Sequence, residues 1–273
     1  MGILVKTMNK GGFTSFEVAA FRSFVTGILM LAGMALFNRP ALKIRRKDLW
    51  CFVGTGIVSV SFFNVCYFSC MGFTTLSTAA ILLYTAPSIV MVLSFFLFKE
   101  KFTAKKILAV VMAFAGCVLV SGGLSGLQIS TAGLLTGLGA GLGYALYSIF
   151  GRYAIERGYN SFTITTYTFL FSSVGFLPIL NWKQFAGTLS ENAQMLPFTV
   201  FMTVVVTILP YLFYTKGLSG MENGMASILA SVEPVMASVV GLLIYKEEIS
   251  AVGLAGMALV LGSCVLVGLK EKN

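Results

Sequence analysis

The sequence predicts an all-α integral membrane protein. Of its 273 residues, 57% are hydrophobic and only 11% are charged, whereas a soluble domain carries about 25% charged residues. The mean hydropathy of the chain is +0.90. Its apolar runs are continuous and do not alternate with a period of two, and this favours a helical bundle over a membrane barrel.

Nine apolar segments are long enough, or nearly so, to cross a bilayer as helices, which takes roughly 20 residues each. Short breaks rich in Lys, Arg, Gly, Pro or Asn separate them. In chain order, the predicted spans are 16–37, 49–71, 76–98, 106–123, 130–151, 161–180, 196–215, 223–245 and 251–269.

The basic residues fall mostly on one side of the predicted membrane. The breaks at 39–48, 99–106 and 151–160, together with Lys216 and the tail 270–273, hold 14 of the 19 Lys and Arg residues, and the opposite breaks hold four. Because cytoplasmic loops are enriched in Lys and Arg, we predict a cytoplasmic C-terminus. The net charge of +9 is thereby assigned to membrane topology, and no nucleic-acid partner is expected.

The two halves of the chain resemble each other at an offset of 147 residues, which predicts an internal repeat with members 1–125 and 126–273. Positions 99–106 are predicted inside and 246–250 outside, so the halves are inverted in the membrane, as in many transporters. The features that align are Pro87 with Pro234, Lys99-Glu100 with Lys246-Glu247, and CVLV at 117–120 with CVLV at 264–267. The expected architecture is a five-plus-five helix bundle.

The first helix of this bundle is largely missing from the sequence, which leaves about nine complete spans. GYNSFTI at 158–164 aligns with GGFTSFE at 11–17, so Met1 falls opposite the end of span 130–151. We expect either that the natural product begins upstream and has ten spans, or that this is a truncated variant. Mass spectrometry of the natural N-terminus tests whether Met1 is the true start.

Glu233 and Pro234 are the most unusual pair in the chain, because SVEPVMAS (231–238) places both deep in an apolar span. A carboxylate at the bilayer centre costs about 2.5–3.5 kcal/mol on insertion scales, so it should face a cavity or be neutral. Pro234 removes an amide and leaves the Ala230 carbonyl without its helical donor, and its aligned partner Pro87 predicts the same helix break in the first half. Glu233 either takes up a coupling proton, contacts a cationic substrate group, or bonds locally as a neutral acid.

Other polar side chains inside the spans are candidate contacts for a solute. Arg22 is either structural or recognises an anion. A set of Tyr and Asn side chains places polar tips among apolar walls, where each one alone is most often an interhelical hydrogen bond. Together they predict an amphipathic, aromatic-walled pocket. The set is Asn64, Tyr67, Tyr84, Tyr144, Tyr147, Tyr211 and Tyr214.

Several kinds of chemistry are disfavoured by composition. The chain contains no histidine, which removes His-based metal sites and catalytic triads. Glu233 has no second carboxylate deep in a span, so we expect no enzyme activity, no metal and no cofactor. GLGAGLG at 137–143 lacks the register of a phosphate loop and is interpreted as a helix-packing segment. The Lys-Glu loops at 99–100 and 246–248 are interpreted as helix-end charges, with a gate as the minority alternative.

Three motifs resemble those of EamA-type permeases in the drug/metabolite transporter superfamily. They are FEVAAFRSFV (16–25) with Arg22, APSIVMVLSFFLFKEKFT (86–103) and EPVMASVVGLLIYKEEIS (233–250). The resemblance spans the whole chain, although the family's first-helix Trp-Gly region is reduced here to Met1-Gly2 or absent. It implies a ten-helix inverted-repeat carrier that moves small solutes across the bacterial inner membrane, most often outward, with amino acids and related metabolites as frequent substrates of the family.

The leading hypothesis for function is a secondary carrier that exports a small metabolite, an amino-acid-like solute or an amphipathic compound by alternating access. A passive channel or facilitator is the alternative, and an integral membrane enzyme is the least favoured. The expected partners are a small-molecule substrate and the lipid bilayer, with protons as a candidate coupling ion. A monomer and a homodimer both stay open.

Overall fold

Every regular element in the described part of the chain is helical. The computed structural model describes residues 2–122, 130–246 and 250–268. The helices are α1 (Gly2–Lys10), α2 (Ser15–Phe37), α3 (Leu49–Val53), α4 (Phe62–Phe73), α5 (Leu76–Leu83), α6 (Ala86–Phe98), α7 (Ala104–Val120), α8 (Thr131–Glu156), α9 (Ser161–Phe176), α10 (Trp182–Glu191), α11 (Leu196–Thr203), α12 (Leu209–Leu218), α13 (Asn223–Ala230), α14 (Glu233–Tyr245) and α15 (Ala251–Gly268). Two π-helical segments, Gly54–Ser61 and Val204–Ile208, make α3 continuous with α4 and α11 continuous with α12.

Seven helical stretches in the described residues are long and apolar enough to cross a membrane. They are Ser15–Phe37, Arg46–Phe73, Leu76–Phe98, Thr131–Glu156, Ala193–Leu218, Asn223–Leu243 and Ala251–Gly268. Helices α7 and α9 occupy the other two predicted segments and are shorter, with 17 and 16 residues. The prediction of an all-α, multi-pass chain is therefore confirmed, whereas the count of nine spans stays a prediction.

Parts of the sequence-based predictions lie outside the described residues. These parts are Met1, the repeat boundary between positions 125 and 126, the acidic pair Glu247-Glu248 and the basic tail at 270–273.

The helix starts follow local capping rules. Thr14 and Glu17 form a capping box at α2, in which the Glu17 carboxylate accepts from the Thr14 amide at 2.7 Å. Asn160 caps α9 by accepting from the Thr163 amide at 2.9 Å. Each cap satisfies an amide that a helix start otherwise leaves without an acceptor. The sequence therefore sets these boundaries through short-range bonds.

The helices pack into two compact units. The first comprises Met1–Phe68 and Phe150–Ser219, and the second comprises Ser69–Ile149 and Gly220–Asn273. Each unit thus draws helices from both halves of the sequence. The compact units are defined by contacts between helices, whereas the predicted repeats are defined by sequence similarity. The units therefore do not test the repeats 1–125 and 126–273, which stay a prediction.

The interior of the first unit contains buried hydroxyl groups between helices. The Thr168 hydroxyl donates to Thr55 at 2.7 Å, and the Ser61 hydroxyl donates to the Ser172 carbonyl at 3.1 Å. The backbones approach closely here, because a Cβ on Gly56 would lie 2.6 Å from the Thr168 carbonyl oxygen. Small residues and hydroxyl bonds of this kind hold helices together in lipid, where apolar burial gives little driving force.

A buried carboxylate joins two of the basic loops of the first unit. The Asp48 side chain is 3% exposed and accepts from Arg45 Nε at 2.8 Å and Arg157 Nε at 3.1 Å. The Tyr159 hydroxyl donates to the same carboxylate at 2.8 Å. Tyr159 and Asp48 raise the pKa of the Arg45 guanidinium above its usual value. The guanidinium of Arg157 also lies 4.9 Å from the ring centroid of Trp50, within cation–π range.

We predict that Asp48→Asn lowers the melting temperature of the purified protein by several degrees. Asparagine keeps the size of the side chain but removes the negative charge that faces two guanidinium groups. Arg157→Gln should have a smaller effect and Arg45→Gln the smallest, because the Arg45 side chain is 56% exposed and exposed ion pairs contribute little. Thermal unfolding followed by tryptophan fluorescence measures this.

Glu156→Gln serves as the matched control for this series, because Glu156 is exposed near the same loop. Two results would contradict the assignment of Asp48 as the anchor of the two loops. One is an Asp48→Asn variant with the melting temperature of the wild type, and the other is an Arg45→Gln variant that melts at a lower temperature than Asp48→Asn.

The second unit is built around the crossing of α7 and α15. Ala109, Val110 and Ala113 of α7 pack with Val267 of α15 and with Ile228 of α13 in one buried cluster. Helix α13 is therefore held in the core of this unit by an apolar side chain near its middle. This placement matters because α13 leads directly into the segment that contains Glu233.

Candidate functional site

Two apolar helices of the second unit are broken just before a proline. Helix α5 ends at Leu83 and α6 begins at Ala86, with Pro87 in its first turn. Helix α13 ends at Ala230 and α14 begins at Glu233, with Pro234 in its first turn. Because proline has no amide to donate and clashes with the preceding turn, the predicted helix breaks are present at both positions.

The backbone follows the same path at both breaks. Tyr84 has φ −72° and ψ 4°, and Ser231 has φ −64° and ψ −4°. The two helices after the breaks also end alike, since Lys99 and Lys246 have φ of 56° and 55° in the left-handed region. Both lysines lie 12 residues after their proline.

A small pocket opens at the two breaks. Tyr84 and Pro87 line it from one broken helix, Ser231 and Glu233 from the other, and Tyr144 from α8. The remaining lining residues are Leu83, Ala86, Ser227 and Ala230. The pocket therefore combines two phenol rings, two hydroxyl groups and one carboxylate with apolar walls.

Close approach of α8 brings Tyr144 to the pocket. A Cβ on Gly141 would lie 2.6 Å from the Thr85 hydroxyl and 3.2 Å from the Leu82 carbonyl oxygen, so any side chain there would push α8 away from the first break. Tyr144 packs beside Ala86 and Val90. The packing interpretation of the 137–143 segment is therefore confirmed at Gly141.

Glu233 is exposed at the start of α14, although it lies within a run of apolar residues. The break before Pro234 places this carboxylate in the first turn of a new helix. The positive end of a helix dipole stabilises negative charge there, by about 0.3–1 kcal/mol at exposed positions. The break thus provides both access to the pocket and a favourable electrostatic position for the acid.

Of the predicted site residues, Glu233, Tyr84, Tyr144 and the helix-break residue Pro87 come together at this pocket, and Pro234 is buried at the second break. Tyr147 is 6% exposed in the same unit and does not line the pocket. That these residues bind a solute stays a prediction.

The other predicted residues belong to the first unit. Arg22 is 6% exposed in α2. The buried amide of Asn64 donates to the Val60 carbonyl at 2.7 Å, within its own helix. Tyr67 stacks on Phe63 with ring centroids 5.6 Å apart, and Tyr211 meets Phe169 edge to face at 4.8 Å. Tyr214 is half-buried. Neither the Asn64 nor the Tyr211 contact is the interhelical hydrogen bond considered for such polar tips, because the first lies within one helix and the second joins two rings.

Ser227 and Ser231 also line the pocket and were not predicted from the sequence. They lie four residues apart and share one face of the second broken helix, where the Ser231 hydroxyl donates to the Ser227 carbonyl at 3.4 Å. The signal available in the sequence was their spacing directly before Glu233-Pro234. Serine is common in membrane helices, so that spacing alone does not separate a pocket from ordinary packing.

Apolar helices that are interrupted near a cluster of polar side chains are a recurring feature of multi-pass membrane transporters. The EamA-like transporter family model matches residues 1–122 and 131–269. The chain belongs to this family, and the resemblance inferred from its motifs is confirmed.

The similar proteins carry transporter names. An uncharacterized transporter of Bacillus subtilis, YetK, is 24% identical over 94% of this chain and 79% of its own length. A second one, YwfM, is 25% identical over 95% of this chain and 86% of its own length. An uncharacterized transporter of Archaeoglobus fulgidus is 26% identical over 80% of this chain and 77% of its length. These names indicate a transporter rather than an enzyme.

One solved structure, which is named only "Crystal structure of protein", shares the fold. It superposes with a TM-score of 0.72 over 94% of this chain and 89% of its own. At 14% sequence identity, this likeness concerns the fold alone.

Proposed function

We propose that the protein is a secondary transporter that exports a small metabolite, an amino-acid-like solute or an amphipathic compound. The observation that carries this proposal is the pocket at the two helix breaks, which the exposed residue Glu233 lines together with Tyr84 and Tyr144. Broken helices are where carriers place their substrate and ion sites. The aromatic rings suit the apolar part of such a solute.

We further propose that the chain consists of two inverted repeats and works by alternating access. The recurring features support this: the two breaks, the left-handed Lys99 and Lys246, and the π-helical segments at Gly54–Ser61 and Val204–Ile208. In an inverted-repeat carrier, one repeat can rock against the other around the site. This motion closes the site on one side of the membrane and opens it on the other.

A cytoplasmic C-terminus in the bacterial inner membrane completes the proposal. Contacts between loops of the first unit support the predicted sidedness, because in two of them both partners are predicted to lie on the same side. Asp48 pairs with Arg157, and both are predicted to be cytoplasmic. The Asn192 amide donates to the Gly11 carbonyl at 2.9 Å, and both are predicted to be external.

Counterflow in proteoliposomes tests the proposed function. The full chain is reconstituted with one unlabelled solute trapped inside, and its labelled form is added outside, for a panel of amino acids, amines and aromatic metabolites. A carrier should accumulate label transiently several-fold above the external concentration, because exchange through an alternating site couples opposing fluxes.

Protein-free liposomes give the background for the panel. Label that equilibrates but never rises above the external concentration indicates a channel or facilitator, and this outcome contradicts alternating access. Chemical conversion of the solute by the purified protein contradicts the transporter assignment altogether.

A further inference from the structure

The start of helix α13 is capped by a residue from a different part of the chain. Glu222 occupies the N-cap position and makes no side-chain capping bond. Instead, the Glu100 carboxylate accepts from the backbone N–H of Asn223 at 2.7 Å and from the backbone N–H of Gly224 at 3.2 Å. One carboxylate thus satisfies two of the four amides that a helix start leaves without partners.

Helix α6 and the loop 99–106 each make one further contact with the start of α13. The Asn223 side chain donates to the Ser94 hydroxyl at 3.1 Å, and both residues are fully buried. Lys106 forms an ion pair with Glu222. Glu100 is aimed at α13 because Lys99 turns the chain with a left-handed φ of 56°, and the Glu100 amide then donates to the Ser94 carbonyl.

The corresponding helix of the first half is capped differently. Thr75 is the N-cap of α5 and accepts from the Thr78 amide at 3.2 Å, within its own helix. Thr75 and Glu222 are 147 residues apart, so they occupy matching positions. A local cap would be enough to stabilise a helix start. A remote cap makes α13 depend in addition on where the loop 99–106 lies.

A chain of hydrogen bonds leads from this cap to the pocket. Glu100 accepts from the Gly224 amide, and the Gly224 carbonyl accepts from the Ser227 hydroxyl at 2.9 Å. The Ser227 carbonyl in turn accepts from the Ser231 hydroxyl at 3.4 Å. Ser227 and Ser231 both line the pocket beside Glu233. Movement of the capped end of α13 therefore reaches the pocket through bonded groups.

We propose that Glu100 is a positioning residue that tethers α13, and with it the pocket, to the loop 99–106. Helix α13 has eight residues, which is too short for stability on its own, so withdrawal of the loop disfavours its first turn. The tether thereby holds the helix in the conformation seen here. Granting the proposed transport function, release of Glu100 accompanies the change of access.

Hydrogen–deuterium exchange on the full chain in nanodiscs tests the tether without any solute. Glu100→Gln should speed amide exchange at 223–226 by about tenfold, the effect of losing a helix cap, and should also speed exchange at 99–107. Glu156→Gln is the matched control, because it removes an exposed acid that no described bond involves. Glu100→Asp replaces the Gln variant if the latter does not purify, and it should show the same pattern.

The double variant Glu100→Gln/Glu222→Ser separates a tether from a simple cap. Serine at the N-cap position copies the local cap of α5, so exchange at 223–226 should return to within about twofold of the wild type. Amide exchange at 99–107 should stay fast, because Glu100 no longer holds the loop 99–106 to α13. The proposal is overturned if Glu100→Gln shows the amide exchange rates of the wild type. It is also overturned if exchange returns to wild-type rates at both 223–226 and 99–107 in the double variant. Since no solute is used, failure of the transport assay leaves this result unaffected.

Discussion

Replacing Glu233 with glutamine should reduce uphill transport driven by a pH gradient by at least about tenfold, measured as the initial rate of transport of a solute identified in the panel. Glutamine keeps the shape of the side chain but loses the charge that the start of α14 stabilises. A hydrogen bond to a charged group contributes about 1.5–3 kcal/mol, and about 1.4 kcal/mol corresponds to a factor of ten. Glu233→Asp should retain part of the rate, because the charge remains.

The same variant distinguishes the two roles left open for Glu233. If the carboxylate takes up a coupling proton, Glu233→Gln should lose uphill transport driven by a pH gradient and keep substantial counterflow, which needs no net proton movement. If it binds a cationic group of the solute, both activities and solute affinity should fall together. Glu156→Gln is the control for the loss of an acid. Wild-type flux with unchanged pH dependence in Glu233→Gln removes both roles.

The sequence predicts those features of the fold that depend on neighbouring residues. Pro87 and Pro234 break their helices where they stand because the missing amide and the ring clash act within one turn. Thr14 and Glu17 begin α2 by the same kind of short-range bonding, although this capping box was not itself predicted. The run of apolar residues likewise fixes which segments can enter lipid. These predictions required no knowledge of how the helices pack.

The features that depend on distant residues were not predictable in the same way. Glu100 and Asn223 are more than a hundred residues apart in the sequence, and no local pattern indicates that one caps the other. Glu233 was predicted to lie deep in a span, yet the sequence could not show that its carboxylate is exposed beside Tyr84 and Tyr144. Such contacts arise from tertiary packing, which overrides local preference.

The crossing of α7 and α15 gives the largest expected effect on stability. A Cβ on Gly116 would lie 2.6 Å from the Gly256 carbonyl oxygen, and a Cβ on Gly256 would lie 2.7 Å from the Gly116 carbonyl oxygen. Each clash is with backbone, which cannot rotate away as a side chain can. The two helices therefore have to separate if either glycine gains a methyl group, and small residues at such crossings are what allow backbones to touch in lipid.

We expect Gly116→Ala and Gly256→Ala each to destabilise the protein by about 2–3 kcal/mol, the upper part of the range of about 1–3 kcal/mol for overpacking a tight interior, because each clash is with backbone. The melting temperature should fall by roughly 5–10 °C. Gly33→Ala in α2 is the matched control, because nothing lies within 4 Å of the Cβ it would gain. It should melt at or above the wild-type temperature, since alanine favours a helix over glycine.

The double variant Gly116→Ala/Gly256→Ala tests whether both effects arise at one crossing. Once the first methyl group has separated the helices, the second meets less resistance, so the combined loss should be clearly smaller than the sum of the single losses. Additive losses would mean that the two glycines act at independent places. Single variants that melt with Gly33→Ala would show that α7 and α15 do not touch at these glycines, and the core of the second unit would then need a different helix pairing.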